Sequence, residues 1–155
     1  MDWKTLFLDA NGRIGKKDFW IGFLILFVAG IILNFVPVIG QIAAILLIYP
    51  WICLYSKRLH DFGKSGWLVI VPVVAMIVAT IGSIMTMGAA AFGAASSTTD
   101  YGAASAMMGG LGGMALLNVV ALLVCLAFLL WVGLSKGDEG TNQYGSPRVP
   151  PLTGA

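Results

Sequence analysis

The chain has 155 residues, of which 59% are hydrophobic and only 10% are charged, and its mean hydropathy is +0.92. Soluble domains carry roughly 25% charged residues, so this composition excludes an ordinary soluble domain and is typical of a membrane protein. The formal net charge of +2 is too small to indicate a nucleic-acid-binding protein.

The chain begins with a polar stretch that precedes the first apolar run. The residues of this stretch that share one helical stripe are Trp3, Leu6, Phe7 and Ala10. This pattern predicts a short interfacial helix on the inner leaflet, with a soluble docking helix as the alternative. The stretch is acidic for a signal peptide and no small-x-small cleavage site follows the apolar run, which favours a retained anchor.

Four apolar segments have the length of a membrane-spanning helix, for which about 20 residues are needed. They run over residues 19–35, 38–55, 67–87 and 114–134. Pro37 and Gly40 lie between the main bodies of the first two segments and predict a tight helical hairpin there. The expected fold is therefore an all-α membrane protein, a bundle of four transmembrane helices forming a single membrane domain over residues 1–155.

Residues 88–113 differ from the rest of the chain, because fifteen of these 26 residues are Gly or Ala and Asp100 is their only charge. We expect this segment outside the cytoplasm, as spacer material without chemistry. Two structures are compatible with it: a flexible low-complexity loop, or helical extensions of the third and fourth spans.

The basic residues predict the orientation of the bundle. They precede the first span, separate the second from the third, or follow the fourth, and they are Lys4, Arg13, Lys16, Lys17, Lys57, Arg58, Lys64, Lys136 and Arg148. With four spans they all lie on one face, which the positive-inside rule makes cytoplasmic. The N-terminus, the polar loops and the tail of residues 135–155 are then cytoplasmic.

Motifs for metals, cofactors and catalysis are lacking. Cys53 and Cys125 both lie in apolar runs and do not indicate a disulfide. His60 is the single histidine, which makes a poor metal site. Gly63-Lys64-Ser65 resembles the end of a P-loop, but Arg58 stands where that motif needs its first Gly. We therefore predict no cofactor and no metal, and no enzyme motif is recognised.

Three polar segments converge on the cytoplasmic face in this topology. They are Gly12–Trp20, with a Gly-Arg pair and a final Phe-Trp; Arg58–Trp67, reading Arg-Leu-His-Asp-Phe-Gly-Lys-Ser-Gly-Trp; and Gly140–Gly145, reading Gly-Thr-Asn-Gln-Tyr-Gly. These segments resemble the signatures of the bacterial inner-membrane family catalogued as domain of unknown function 805. The resemblance covers nearly the whole chain except residues 88–113, and departs at Gln143, where a basic residue is usual. It implies an inner-membrane location and no particular activity.

A candidate anion site lies at this face. A helix N-terminus at Ser65 and Gly66 offers free N–H groups and a positive dipole end. The residues proposed for binding an anion or a lipid head group are Arg13, Arg58, His60, Asp61, Lys64, Ser65, Gly66, Asn142 and Tyr144. The alternative is structural: the same side chains enforce orientation, hydrogen-bond the tail and cap helices.

Three functions remain open at this point. The first is a membrane protein that binds anionic lipid head groups or an envelope partner through its cytoplasmic face; its partners are membrane lipids, with a second copy or another membrane protein as options. The second is a small transporter or channel, which is disfavoured because the four spans contain no Asp, Glu, Lys, Arg or His. The third is an enzyme acting on lipid at the inner leaflet, using His60 and Asp61.

Overall fold

The computed structural model describes residues 3–36 and 38–146, and the regular elements in this part of the chain are helices. They are α1 (Trp3–Leu8), α2 (Lys16–Asn34), α3 (Ile39–Leu46), α4 (Ile48–Asp61), a 3-10 helix (Gly66–Val69), α5 (Ile70–Ser96) and α6 (Asp100–Leu134). Within these ranges, three helical stretches are long and apolar enough to cross a membrane: Lys16–Asn34, Gly66–Ser96 and Asp100–Leu134. The all-helical prediction is confirmed for the described residues.

The second predicted span, residues 38–55, consists of two shorter helices in the structure. α3 ends at Leu46 and α4 begins at Ile48. Pro50 lies in the first turn of α4 and has no N–H to donate to the Leu46 carbonyl, which accounts for a break at this point. Neither helix alone has spanning length, so the fourth crossing stays a prediction.

The turn between α2 and α3 differs in detail from the expectation. Pro37 lies outside the described residues. Gly40, expected to break the helix, lies inside α3, where a Cβ would overlap the Leu33 carbonyl. Gly40 therefore permits the close approach of α3 to the end of α2, and the chain turns just before it, at Val38, whose φ is +63°.

Residues 88–113 are helical apart from the short connection 97–99 between α5 and α6. Of the two structures compatible with the sequence, the chain adopts the helical extensions. The small residues lie where the two helices meet: a Cβ on Gly110 would overlap Ala90, and one on Gly93 would lie 3.3 Å from the Ala106 side chain. Glycine is a poor helix former, but here it lets two helix backbones approach closely, and this packing outweighs its propensity.

The chain forms two compact units, one of the residues up to Val69 and from Leu130 onward, the other of Ile70–Leu129. The first unit contains a core of fully buried side chains. They are Leu6, Ile14, Phe19, Cys53, Leu54, Leu59 and Val132, together with Arg58. Arg58 is the charged residue of this core, and the buried Asp61 forms ion pairs with both Arg58 and the buried Arg13.

The N-terminal helix α1 packs on the protein. Its Leu6 is fully buried, and the Tyr49 hydroxyl of α4 donates a hydrogen bond to the Leu8 carbonyl at 3.0 Å. Gly22 of α2 accommodates the Leu6 and Leu54 side chains, because a Cβ there would press on both. The expectation that α1 also lies on the inner leaflet stays a prediction.

Candidate functional site

Three polar side chains are buried together in the first unit and form what we call the arginine–aspartate cluster: Arg13, Arg58 and Asp61. Arg13 is 5% exposed, Arg58 0% and Asp61 7%. Arg13 comes from the segment before α2, whereas Arg58 and Asp61 lie one turn apart on α4. The cluster thus joins segments that are 48 residues apart in sequence.

Arg58 ties α4 to the end of α6. Its Nε donates to the Val132 carbonyl at 3.1 Å, and its Nη2 donates to the Ser135 carbonyl. Its Nη1 donates to the Asp61 carboxylate and, at 3.4 Å, to the Ile14 carbonyl. The C-terminal end of a helix carries exposed carbonyl groups and a negative dipole end, so α6 supplies favourable acceptors for a buried cation.

Arg13 ties the segment before α2 to α4 and to the tail. Its Nε donates to the Asp61 carboxylate at 3.3 Å, and its Nη2 donates to the Asp61 and Asp138 carbonyls. Its Nη1 donates to the carbonyls of Gly140 at 2.7 Å and Gly145 at 3.1 Å. A guanidinium has five N–H donors, and these five acceptors match that number.

Burial sets the electrostatics of the cluster. It raises the pKa of Asp61, while the neighbouring guanidiniums of Arg58 and Arg13 act in the opposite direction. Burial also lowers the pKa of Arg58, and the Asp61 carboxylate opposes that shift. Buried charges are costly unless they are paired and hydrogen-bonded; the pairing and the ring of carbonyl acceptors meet both conditions.

His60 lies at the edge of the cluster, sandwiched between the N-terminal segment and the tail. Its Nδ1 lies 3.3 Å from the Gly12 carbonyl, and its Nε2 lies 3.5 Å from the Ser56 hydroxyl. Its ring stacks on Tyr144, with centroids 3.8 Å apart and planes 10° apart. Because a carbonyl only accepts, Nδ1 carries the proton. Burial lowers the pKa of His60, which favours the neutral ring.

The tail folds into a turn that closes over this site. The Asn142 side-chain amide donates to the His60 carbonyl at 3.0 Å and to the Asp138 carboxylate at 2.8 Å. Its amide oxygen accepts from the Tyr144 N–H at 2.9 Å. Asn142 and Gly145 exchange two backbone hydrogen bonds, and Gly145 has a φ of +112°, a conformation that favours glycine.

Lys64, Ser65 and Gly66 have a different position. Lys64 and Ser65 are exposed, and the Ser65 hydroxyl accepts from the Trp67 N–H at 3.4 Å. Gly66 lies against α4, because a Cβ there would overlap the Ser56 hydroxyl. Hydrogen bonds, ion pairs and a ring stack therefore join six of the nine predicted residues, whereas Lys64, Ser65 and Gly66 lie outside these contacts. The role of all nine in anion binding stays a prediction.

Several parts of the site are not apparent from the sequence. The carbonyls of Asp138, Gly140 and Gly145 hold Arg13, and a backbone carbonyl has no signature in a sequence. Gly137 is also essential to the fit, because a Cβ there would overlap the Asp61 carboxylate. Three glycines of the tail, Gly137, Gly140 and Gly145, are the one feature of the sequence that indicates a close approach of the tail backbone to other groups.

Several exposed lysines lie close in sequence to the segments that the arginine–aspartate cluster joins. Those we call the lysine set are Lys16, Lys17, Lys64 and Lys136, and all four are exposed. Each lies within a few residues of a segment that the cluster holds: Lys16 follows Arg13 closely, Lys64 follows Asp61, and Lys136 follows Ser135. Lys57, in contrast, is 3% exposed.

The helices and the site together define a class: a multi-pass membrane protein, helical in residues 3–36 and 38–146, whose polar segments are joined by a buried cluster of ions. The chain belongs to the family described as "Protein of unknown function (DUF805)", whose profile matches residues 7–103. The predicted family is thereby confirmed. The match includes the first two polar segments and, contrary to expectation, part of residues 88–113. The matched range contains Arg13, Arg58, His60 and Asp61 and ends before the tail.

Two curated relatives agree with this assignment. The chain is similar to "Uncharacterized protein YiiR" of Escherichia coli strain K12, with 30% identity over 147 residues, covering 87% of this chain and 82% of the relative. The YiiR protein of Escherichia coli O157:H7 matches with the same identity and coverage. No solved structure matches the chain.

Proposed function

We propose that this protein is a four-span protein of the bacterial inner membrane whose cytoplasmic face binds anionic lipid head groups. The proposal rests on a difference between the buried arginines and the exposed lysines. Arg13 and Arg58 donate to protein acceptors, whereas the lysine set is exposed to the surroundings. The lysines are therefore the cations available to lipid phosphates, and the arginines hold the segments that present them.

The charge distribution supports the proposed topology. The connections near residues 35–38 and 97–99 contain no Lys or Arg, in contrast to the three polar segments. The apolar part of α3 and α4, residues 39–55, is 17 residues long, which is within the roughly 17 to 25 residues of a spanning segment. A fourth crossing there places every basic residue, and both termini, in the cytoplasm.

The chemistry of the lysine set suits lipid phosphates. Long lysine side chains extend along a membrane interface and place their ammonium groups among the head groups. Basic residues close to an anionic leaflet each add to the attraction, and salt weakens it. Such binding selects negative head groups over zwitterionic ones without requiring a deep pocket.

The alternatives have less support from the contacts. A transporter needs a polar path, but the Asn118 amide donates to the Ser83 hydroxyl at 2.9 Å and to the Met114 carbonyl at 2.8 Å, so its N–H groups are used between and within helices. An enzyme using His60 and Asp61 needs both groups free for a substrate. His60 is stacked on Tyr144, and Asp61 is held by two arginines.

The test is lipid retention by the purified protein. Nanodiscs of mixed phosphatidylglycerol and phosphatidylcholine provide the lipids, and native mass spectrometry counts those retained. Replacing the whole lysine set by Gln is expected to lower the preference for phosphatidylglycerol by roughly tenfold or more. Replacing the same four residues by Arg preserves the charge and should preserve the preference. An unchanged preference in the Gln variant would refute the proposal.

A further inference from the structure

The tail loop, residues 137–146, occupies most of the donors of Arg13. Three of the five acceptors around this guanidinium are backbone carbonyls of the loop, those of Asp138, Gly140 and Gly145. The other two belong to Asp61, the last residue of α4. Arg13 thus has two bonds to α4 that do not involve the loop.

A phosphate group also offers several oxygen acceptors to the N–H donors of one guanidinium. Phosphate oxygens accept parallel N–H bonds from a guanidinium, and because they are charged these bonds are stronger than those to neutral carbonyls. The loop carbonyls therefore offer Arg13 several oxygen acceptors at once, as a phosphate group would. A phosphate that reached Arg13 would take over donors that already point in the required directions.

The loop is held mainly by polar contacts. Most of its residues are exposed, and only Gly137, Asn142 and Tyr144 are half-buried. Its attachments besides Arg13 are the Asp138 N–H bond to the Asp61 carbonyl at 2.8 Å, the Asn142 bond to the His60 carbonyl, and the Tyr144 stack on His60. Segments with few buried apolar contacts open at low free-energy cost.

The loop also carries negative charge close to Lys136. Asp138 and Glu139 are exposed and follow Lys136 closely in the chain. Carboxylates at this position weaken the attraction of the face for an anion. Departure of the loop would remove this repulsion and free three donors of Arg13 in the same event.

From these contacts we propose that the tail loop is an exchangeable occupant of a phosphate site at Arg13, which an anionic phosphate group enters by displacing the loop. The inference rests on the proposed function for its ligand class, a phosphate diester or monoester. The docked loop keeps this site closed, and the lysine set gives the first attraction. Binding at Arg13 and docking of the loop are then mutually exclusive.

Hydrogen exchange of the unaltered protein tests this exchange. The amides of Asp138, Tyr144 and Gly145 all donate hydrogen bonds in the docked loop. Peptides covering 137–146 are compared in nanodiscs of phosphatidylcholine, with and without phosphatidylglycerol, and in phosphatidylcholine with inorganic phosphate or with sodium chloride of equal ionic strength. A peptide from α4 is the internal control.

Each outcome is decisive. Faster exchange with phosphatidylglycerol alone assigns the site to a lipid head group, and faster exchange with inorganic phosphate assigns it to a free phosphate. Exchange that is equal in all conditions, or that sodium chloride accelerates as much as inorganic phosphate does, overturns the proposal.

A pair of variants tests the role of Arg13 separately. Tyr144→Ala removes the stack on His60 and should increase phosphatidylglycerol retention by roughly fivefold or more. The double variant Tyr144→Ala/Arg13→Gln should lose that increase, whereas Gln143→Ala, an exposed neighbour, should behave like the original chain. A gain that persists without Arg13 contradicts the proposal. Circular dichroism of each variant confirms that helix content is retained.

The two proposals fail in different ways. If the lysine set has no effect on lipid preference but the loop exchanges faster with phosphate, the proposed function is wrong and the site at Arg13 stands. If the lysine set controls the preference and the loop never responds, the proposed function stands and the exchangeable loop is wrong.

Discussion

Arg13 binds Asp61 twice, through the carboxylate at 3.3 Å from Nε and through the main-chain carbonyl at 3.0 Å from Nη2. The second bond fixes the guanidinium to the end of α4 independently of the aspartate side chain. The first gives the buried cation a counter-ion that it shares with Arg58. Because the Asp61 carbonyl also accepts from the Asp138 N–H, Asp61 contacts both the segment before α2 and the tail.

Replacing Asp61 by Asn should destabilise the protein strongly. The change leaves two guanidiniums, both buried, without their shared anion, and breaking a buried ion pair in this way costs about 3–5 kcal/mol. Unfolding in detergent, followed by circular dichroism, measures the effect. Glu139→Gln removes an exposed carboxylate from the tail and is the matched control, expected within about 0.5 kcal/mol of the original. Equal stabilities of the two variants would contradict the role assigned to Asp61.

Arg58→Lys preserves the charge but should not preserve the fold stability. A guanidinium reaches the Val132, Ser135 and Ile14 carbonyls together with Asp61 because its donors diverge in one plane. One ammonium group cannot satisfy acceptors placed in this way, and unpaired buried groups cost about 1–3 kcal/mol each. The same unfolding assay applies, with Lys64→Arg as the exposed control. An Arg58→Lys variant as stable as the original would show that charge alone matters.

Stability should also depend on pH through His60. Burial lowers the pKa of the folded state below the ordinary value of about 6.5. As the pH falls, the unfolded chain therefore takes up a proton before the folded protein does. The contribution of neutral His60 to the free energy of unfolding is complete above about pH 6.5, and it is lost as the pH falls from there through the lower folded pKa. His60 is the only histidine in the chain. His60→Phe retains a ring for the stack on Tyr144 and should remove this part of the pH dependence; identical profiles would refute it.

How much of this architecture the sequence predicts depends on the physical origin of each feature. The spans containing α2, α5 and α6 follow from apolar length, which a sequence displays directly. The break at Leu47 does not, because it depends on how the chain accommodates Pro50 within an otherwise apolar run. Residues 88–113 leave two structures open, since glycine propensity disfavours a helix while helix–helix packing favours it.

The site is predictable at the level of side chains only. Arg58, His60 and Asp61 are close together in one polar segment, and the family resemblance groups them with Arg13, Asn142 and Tyr144. The direction of the guanidiniums could not be predicted, because their acceptors include main-chain carbonyls of Val132, Gly140 and Gly145. An arginine that binds phosphate and one that binds carbonyls look the same in a sequence.

The topology yields a labelling prediction. In a background of Cys53→Ala and Cys125→Ala, single cysteines are introduced at Phe35, Lys64 and Thr98, all three of which are exposed. Because basic residues stay in the cytoplasm, an impermeant maleimide added to whole cells should label Phe35→Cys and Thr98→Cys, and Lys64→Cys only after lysis. Labelling of positions 35 and 64 from the same side would mean that α3 and α4 do not cross the membrane. If position 98 is labelled only from inside the cell, the orientation is the reverse of the one proposed.

Two glycines of the tail provide the sharpest test of how tightly the loop is fitted to the cluster. A Cβ at Gly137 would overlap the Asp61 carboxylate, whereas one at Gly140 would meet nothing within 4 Å. Gly137→Ala should therefore push the loop off Asp61, at a cost of about 1–3 kcal/mol, and hydrogen exchange over residues 138–146 should become faster. Gly140→Ala makes the same chemical change in open space and should leave exchange unaltered. If hydrogen exchange over residues 138–146 is the same in both variants, the carboxylate of Asp61 does not lie against Gly137. Arg13 and His60 must then hold the docked loop without this contact.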